Sequence, residues 1–212
     1  MILLGLGITK TAFYMKDSPN LLTAIELNQI ENAILKTVSV EEFAKFVEET
    51  AYVTDAEKYG WSIVQSGVFT YESIVGATWR KPDGINDALP DFPVTQVSYN
   101  DAMAYCKWSG KKIPTYNQYW ELIKKDNRIV AENTSQFLNC ETGNVLGNVW
   151  DITLSPDSFN TRLAGGSIFC NKTTCNGTSR DRELIVDIET GNIHIGFSVI
   201  VDLGRRGSSP IK

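Results

Sequence analysis

Three places in this chain dictate where a helix begins, and the long stretches between them offer few other signals. Ser39-Val-Glu-Glu42 has capping-box spacing, a serine with glutamate three residues on, ahead of Phe43, Phe46 and Val47 on one helical face. Ser98-Tyr-Asn-Asp101 opens a second helix, with Ala102, Tyr105, Cys106 and Ser109 on one stripe and Gly110 as its stop. Pro114-Thr115, with Gln118 three on, opens a third that runs through Trp120 and Ile123 to Lys124 and Lys125. The remainder is rich in Gly, Asn, Asp, Ser and Thr, with short strand-like pieces at Trp61–Gln65 and Ile195–Val201. Long irregular loops inside a compact domain point to function or to metal support. With 212 residues, 42% of them hydrophobic, and no repeat or linker, the chain reads as a single loop-heavy α+β domain over residues 1–212.

The net charge of −5 comes without a basic stripe, which argues against a dedicated nucleic-acid or anionic-membrane binder. No stretch approaches the ~20 apolar residues that span a bilayer. Met1–Ile8 is apolar but lacks a basic flank, and Lys10 ends it. A buried first strand and a cytoplasmic chain without a signal peptide are therefore expected. A single histidine, His194, excludes the HExxH zinc proteases, three-histidine iron centres and Cys/His fingers. Any metal must be held by carboxylate, carbonyl or thiol.

Two segments carry such ligands. Gly165-Gly-Ser167-Ile-Phe-Cys170-Asn-Lys-Thr-Thr-Cys175 places two thiols near a Gly-Gly-Ser turn. They suit a short-loop disulfide, two inert buried thiols, or a soft ion such as Cu(I), with Ser167 beside them. Cys106 falls on an apolar helix stripe and reads as core, while Cys140 has no evident role. Asn144-Val-Leu-Gly147-Asn-Val149-Trp150-Asp151 alternates oxygen donors that suit a hard cation such as Ca²⁺, or is a turn leading into a strand. The aromatics Trp61, Trp79, Tyr99, Trp108 and Trp150 are divided between core and groove in a way the sequence leaves open.

Taken together, these motifs resemble the formylglycine-generating enzyme (sulfatase-modifying factor) family. The resemblance lies in Thr37–Val47, Ala51–Gly60, Ala77-Thr-Trp-Arg-Lys-Pro-Asp-Gly84, Pro93 through Cys106 to Pro114-Thr115, Gly147-Asn-Val-Trp150, Gly165-Gly-Ser167 and Gly196-Phe197. It implies a formylglycine-generating-enzyme or C-type-lectin-like fold, with a small twisted antiparallel sheet, few helices and much loop. It implies that Cys170 and Cys175 bind one Cu(I) with Ser167 adjacent as catalytic residues, and that Asn144, Gly147, Val149 and Asp151 hold a structural Ca²⁺. Tyr99, Trp150 and Asn171 would line the substrate groove. The implied activity is O2-dependent oxidation of a cysteine in a peptide or protein substrate to formylglycine or a related product. The alternative is a non-catalytic ligand- or protein-binding module on the same scaffold. Several positions depart from the family pattern. Asn171 stands for a usual His, Tyr99 and Tyr119 for usual Trp, Ala164 for a basic residue, and Ser179, Glu183 and Ser198 where arginines are usual. A long insertion between Trp120 and Asn144 is reduced to a stub. These changes bear on the substrate wall more than on the thiol pair.

Overall fold

All three helix starts form as the sequence dictates. The computed structural model describes residues 32–67, 70–125, 129–130, 136–140, 145–155, 158–170, 177–182 and 184–203. The expected strand at Met1–Ile8 lies outside them. Helix α1 (Val40–Thr50) begins with both halves of its capping box closed, Glu42 N–H to Ser39 Oγ at 3.2 Å and Ser39 N–H to Glu42 Oε2 at 3.3 Å. It buries Val40, Phe43, Phe46 and Val47. Thr54 and Glu57 form a second capping box at the head of α2 (Asp55–Tyr59), a five-residue helix too short to show a periodicity in sequence. Helix α3 (Tyr99–Ser109) starts on the Ser98–Asp101 box and stops at Gly110, whose φ of 69° is the left-handed conformation that ends helices. Helix α4 (Tyr116–Lys125) starts on reciprocal bonds between Thr115 and Gln118, at 2.9 and 3.2 Å.

The strands form small sheets. β1 (Ala33–Thr37) pairs antiparallel with β10 (Ser198–Asp202), and β2 (Trp61–Gly67) forms a hairpin with β3 (Thr70–Val75). β4 (Ile129–Val130) lies parallel to β5 (Val145–Leu146). A four-stranded sheet has the order β8 (Leu184–Asp187), β7 (Asn160–Ala164), β6 (Trp150–Ile152), β9 (Ile195–Gly196). It is mixed, since β9 runs parallel to β6. The strand expected over Ile195–Val201 is therefore two strands serving two sheets. The chain changes sheets at Phe197, which is fully buried and meets Tyr105 edge-on at 5.3 Å. Around it pack Phe43, Phe46, Trp79, Tyr105 and Trp150, many in edge-to-face pairs such as Phe43–Phe46 and Phe43–Trp79. A second cluster, Leu35, Tyr116, Tyr119, Trp120, Leu122 and Leu146, joins α4 to β1.

A buried acidic knot ties the helix starts together. Asp101 accepts from Ser98 N–H (2.9 Å), Asp55 N–H (3.1 Å) and the Tyr52 hydroxyl (3.1 Å). Asp55 accepts from the Ser98 hydroxyl (2.7 Å) and Lys58 (2.8 Å). Burial, with the neighbouring Asp55 charge adding to it, pushes the Asp101 carboxyl up to about 6. Burial acts on Asp55 too, but bonds from Lys58, Ser98 and Asn100 outweigh it and hold that carboxyl below its ordinary value. Among the described residues no helix is long and apolar enough to cross a membrane.

Candidate functional site

Strand β6 organises the site. Antiparallel β7 pairs Ala164 with Asp151, so Gly165, Gly166 and Ser167 run past the N-terminal end of β6. Parallel β9 pairs Ile195 with Trp150, so His194 arrives at that same end and its carbonyl accepts the Trp150 N–H at 2.8 Å. Ser167 and His194, 27 residues apart in sequence, meet there, with Oγ 3.1 Å from Nδ1. Both are buried, and the Phe169 ring lies against the imidazole at 5.5 Å. Burial lowers the His194 pKa to about 4, so the imidazole is neutral at pH 7. The sequence offered no local sign of this pairing.

The loop that leaves Ser167 is closed at its base. Gly166 has φ of 72°, and a Cβ there would lie 2.8 Å from the Gly177 carbonyl carbon. A Cβ on Gly177 would lie 2.7 Å from Gly166 Cα and 2.8 Å from the Trp150 indole. Two backbones thus touch above a buried indole, a contact only glycine permits. Between these glycines the sequence carries Cys170 and Cys175. Cys170 is 6% exposed, and its N–H bonds the Ser167 carbonyl at 2.8 Å. Cys175 and Asn171 lie outside the described residues. The other cysteines are placed as structural groups. Cys106 is buried in the core, its thiol pushed up to about 11 by burial, and Cys140 is half-buried, pushed up to about 12 chiefly by burial. Neither is a ready thiolate at neutral pH.

Of the expected oxygen donors, Asn144 lies outside the described residues. Gly147 turns the chain with φ of 84° after β5, Val149 is buried, and Asp151 sits in the middle of the sheet. Asp151 Oδ2 accepts the Tyr119 hydroxyl at 2.9 Å, and a Cβ on Gly165 would stand 2.1 Å from that hydroxyl. Asp151 offers one buried, oriented carboxylate after a tight turn, a single oxygen donor of the type a hard cation takes, and among the described residues no group of three or more His, Cys, Asp or Glu is gathered to hold a metal. Cys170 is a buried thiol, the donor type a soft ion takes, and Cys175 follows five residues on in the sequence. Asn148 reinforces the turn, since its amide exchanges two bonds with the Leu138 backbone at 2.8 and 2.9 Å.

The groove residues fare differently. Tyr99 is half-buried at the start of α3. Trp150, expected in the groove, is 1% exposed and fills the space under Gly177, so among the described residues it is a core side chain and offers a groove no surface. Trp79 is likewise core, whereas Trp61 is exposed.

Over residues 33–131, a little under half of its length, the chain matches the family model of the sulfatase-modifying factor enzyme 1-like domain. It is 41% identical over 106 residues to the formylglycine-generating enzyme of Thermomonospora curvata, covering 42% of this chain and 35% of that one. It is 38% identical over 108 residues to the inactive C-alpha-formylglycine-generating enzyme 2 of Bos taurus, with the same coverage of each chain. The chain thus spans about a third of the length of these relatives. In fold it is similar to PvdO from Pseudomonas aeruginosa, with a TM-score of 0.56 at 14% identity over 79% of this chain and 78% of that one. The family match ends before Ser167, Cys170 and Cys175.

Proposed function

We propose that the chain is a copper-dependent oxidase of the formylglycine-generating type, acting on a cysteine of a peptide or protein. The observation that carries the proposal is the closure of Gly166 on Gly177. Covalent reach keeps Cys175, two residues before Gly177, within about 7 Å of it, since each residue spans at most ~3.6 Å. Cys170 lies four residues after Gly166, its N–H bonded to the Ser167 carbonyl at 2.8 Å. Two thiols confined to one small loop are suited to a low-coordinate soft ion. Such an ion, when bound, lowers the pKa of an incoming thiol from ~8.5 and supplies it as the oxidisable thiolate.

The chain's own residues have definite tasks in this scheme. Cys170 and Cys175 bind the ion. Ser167, fully buried and bonded to His194, presents its hydroxyl at the base of the loop. His194 is neutral and so adds no charge against a cation. Asn144, Gly147, Val149 and Asp151 would hold Ca²⁺, the Asp151 carboxylate accepting the Tyr119 hydroxyl. Converting a cysteine side chain to an aldehyde removes two electrons and releases sulfide. Reducing O2 fully to water and the aldehyde oxygen takes two more, from a thiol reductant.

A second reading, a binding module without catalysis, is favoured by the comparable identity to a relative named as inactive. One experiment separates the two. The full chain is loaded anaerobically with Cu(I), then given air, a thiol reductant and a panel of cysteine peptides, and the peptides are followed by intact mass. Loss of one sulfur and two hydrogens with gain of one oxygen, the change from thiol to aldehyde, is expected; binding of a peptide without any mass change would establish the module instead.

A further inference from the structure

A second site stands apart from the cysteine loop, where α2 passes into β2. The link is Gly60, with φ of 75°, and the sharp turn leaves Tyr59 and Trp61 on the surface at 51% and 44% exposure. Their ring centroids are 6.5 Å apart. Opposite them runs the turn that follows β8. Asp187 accepts the Glu189 N–H (2.9 Å) and the Thr190 hydroxyl (2.5 Å), an arrangement that fixes the turn. Glu189 in turn accepts the Tyr59 hydroxyl. The cleft between has a volume of about 250 Å³.

Its floor is rigid. Ser62 Oγ lies 2.6 Å from Gln96 Oε1 and 3.0 Å from the Gly191 carbonyl, and Ile193 N–H bonds the Ile63 carbonyl at 3.0 Å. The lining holds two carboxylates and no cation. Among the described residues neither Asp187 nor Glu189 is in an ion pair, and Lys58 on α2 is held by Asp55 at 2.8 Å. Aromatic faces attract cations through the ring quadrupole, and carboxylates outside ion pairs add to that attraction, although Lys58 lies near enough to feel the Glu189 charge. The volume is below that of ordinary drug-sized pockets and suits one cationic group.

We infer that this cleft binds an organic cation of the alkylammonium type, packed on Tyr59 and Trp61 with its charge toward Asp187 and Glu189. The site is independent of copper. Its test is a titration of the full chain with choline and with N-acetyl-lysine methylamide, followed by ¹H–¹⁵N NMR of the Trp61 indole and the Gly60 and Gly191 amides. Neutral counterparts, 3,3-dimethylbutanol and the Nε-acetylated lysine, serve as controls. At least one cation should bind saturably, at least tenfold tighter than its neutral counterpart, and added salt should weaken it. Whichever cation binds tighter distinguishes a free quaternary ammonium from a lysine side chain borne by a peptide. Glu189→Gln and Trp61→Leu should each weaken binding at least tenfold. If Trp61→Leu loses its fold, Glu189→Gln, at an exposed carboxylate, carries the test. No saturation by either cation, equal binding of the neutral compounds, or shifts that map away from residues 59–62 and 187–191 would overturn the inference.

Discussion

Replacing Gly177 by alanine tests the closure on which the cysteine loop depends. The added methyl would sit 2.7 Å from Gly166 Cα and 2.8 Å from the Trp150 indole. Carbon atoms rest at about 3.5–4.0 Å, so the overlap is roughly 1 Å on both sides. Neither neighbour is a flexible chain end: one is backbone, the other a ring 1% exposed in the core. Overpacking of this kind costs about 1–3 kcal/mol. Gly166→Ala meets Gly177 at 2.8 Å and also forces alanine to φ of 72°, adding about 1–2 kcal/mol for the left-handed backbone. Gly110→Ala is the control, with φ of 69° and nothing within 4 Å, and should show the backbone cost alone. Urea denaturation of the three variants at pH 7 reads these differences directly. Gly177→Ala should also weaken Cu(I) binding, while Gly110→Ala leaves it unchanged. A Gly177→Ala protein within about 0.5 kcal/mol of wild type, the range of ordinary surface substitutions, would show that the two backbones do not touch.

Other consequences are as direct. His194, held at about 4 by burial, takes up its proton in the unfolded chain first, so stability is lost as pH falls from about 6.5 to 4, by up to about 3 kcal/mol. Asp101, raised to about 6, has the opposite effect, since the folded chain binds its proton more readily and gains stability as pH falls through that value. Denaturation midpoints across this range should therefore fall more steeply with acid in Asp101→Asn and less steeply in His194→Gln. Tyr119→Phe removes the hydroxyl that bonds Asp151 at 2.9 Å and should cost about 1–3 kcal/mol by urea denaturation. Ser39→Ala opens the capping box of α1 and should cost about 1 kcal/mol in the same assay.

What the sequence disclosed was local. Ser39, Ser98 and Thr115 begin helices by bonding backbone three residues away, so spacing alone reveals them. Thr54 and Glu57 carry the same spacing, yet their helix is a little over one turn long and lacks an apolar stripe to confirm it. The strand at Ile195–Val201 was legible as extended chain, but its division at Phe197 depends on partners far away: Asp151 for Gly196 and Thr37 for Ser198. Trp150 and Trp61 have the same side chain and opposite fates, one under Gly177 and one beside an open cleft, because burial is decided by packing. His194 served in the sequence to exclude histidine metal centres and stood as the one base a Ser-His or Cys-His machine could use, with no partner indicated. The strand order β7-β6-β9 is what delivers it to Ser167.

The most direct measurement of the central claim is anaerobic Cu(I) titration of the full chain against a competing chelator, beside Cys170→Ser and Cys175→Ser. One Cu(I) per chain, lost or greatly weakened in each variant, is the predicted result. No stoichiometric uptake, or uptake unchanged in either variant, would contradict it.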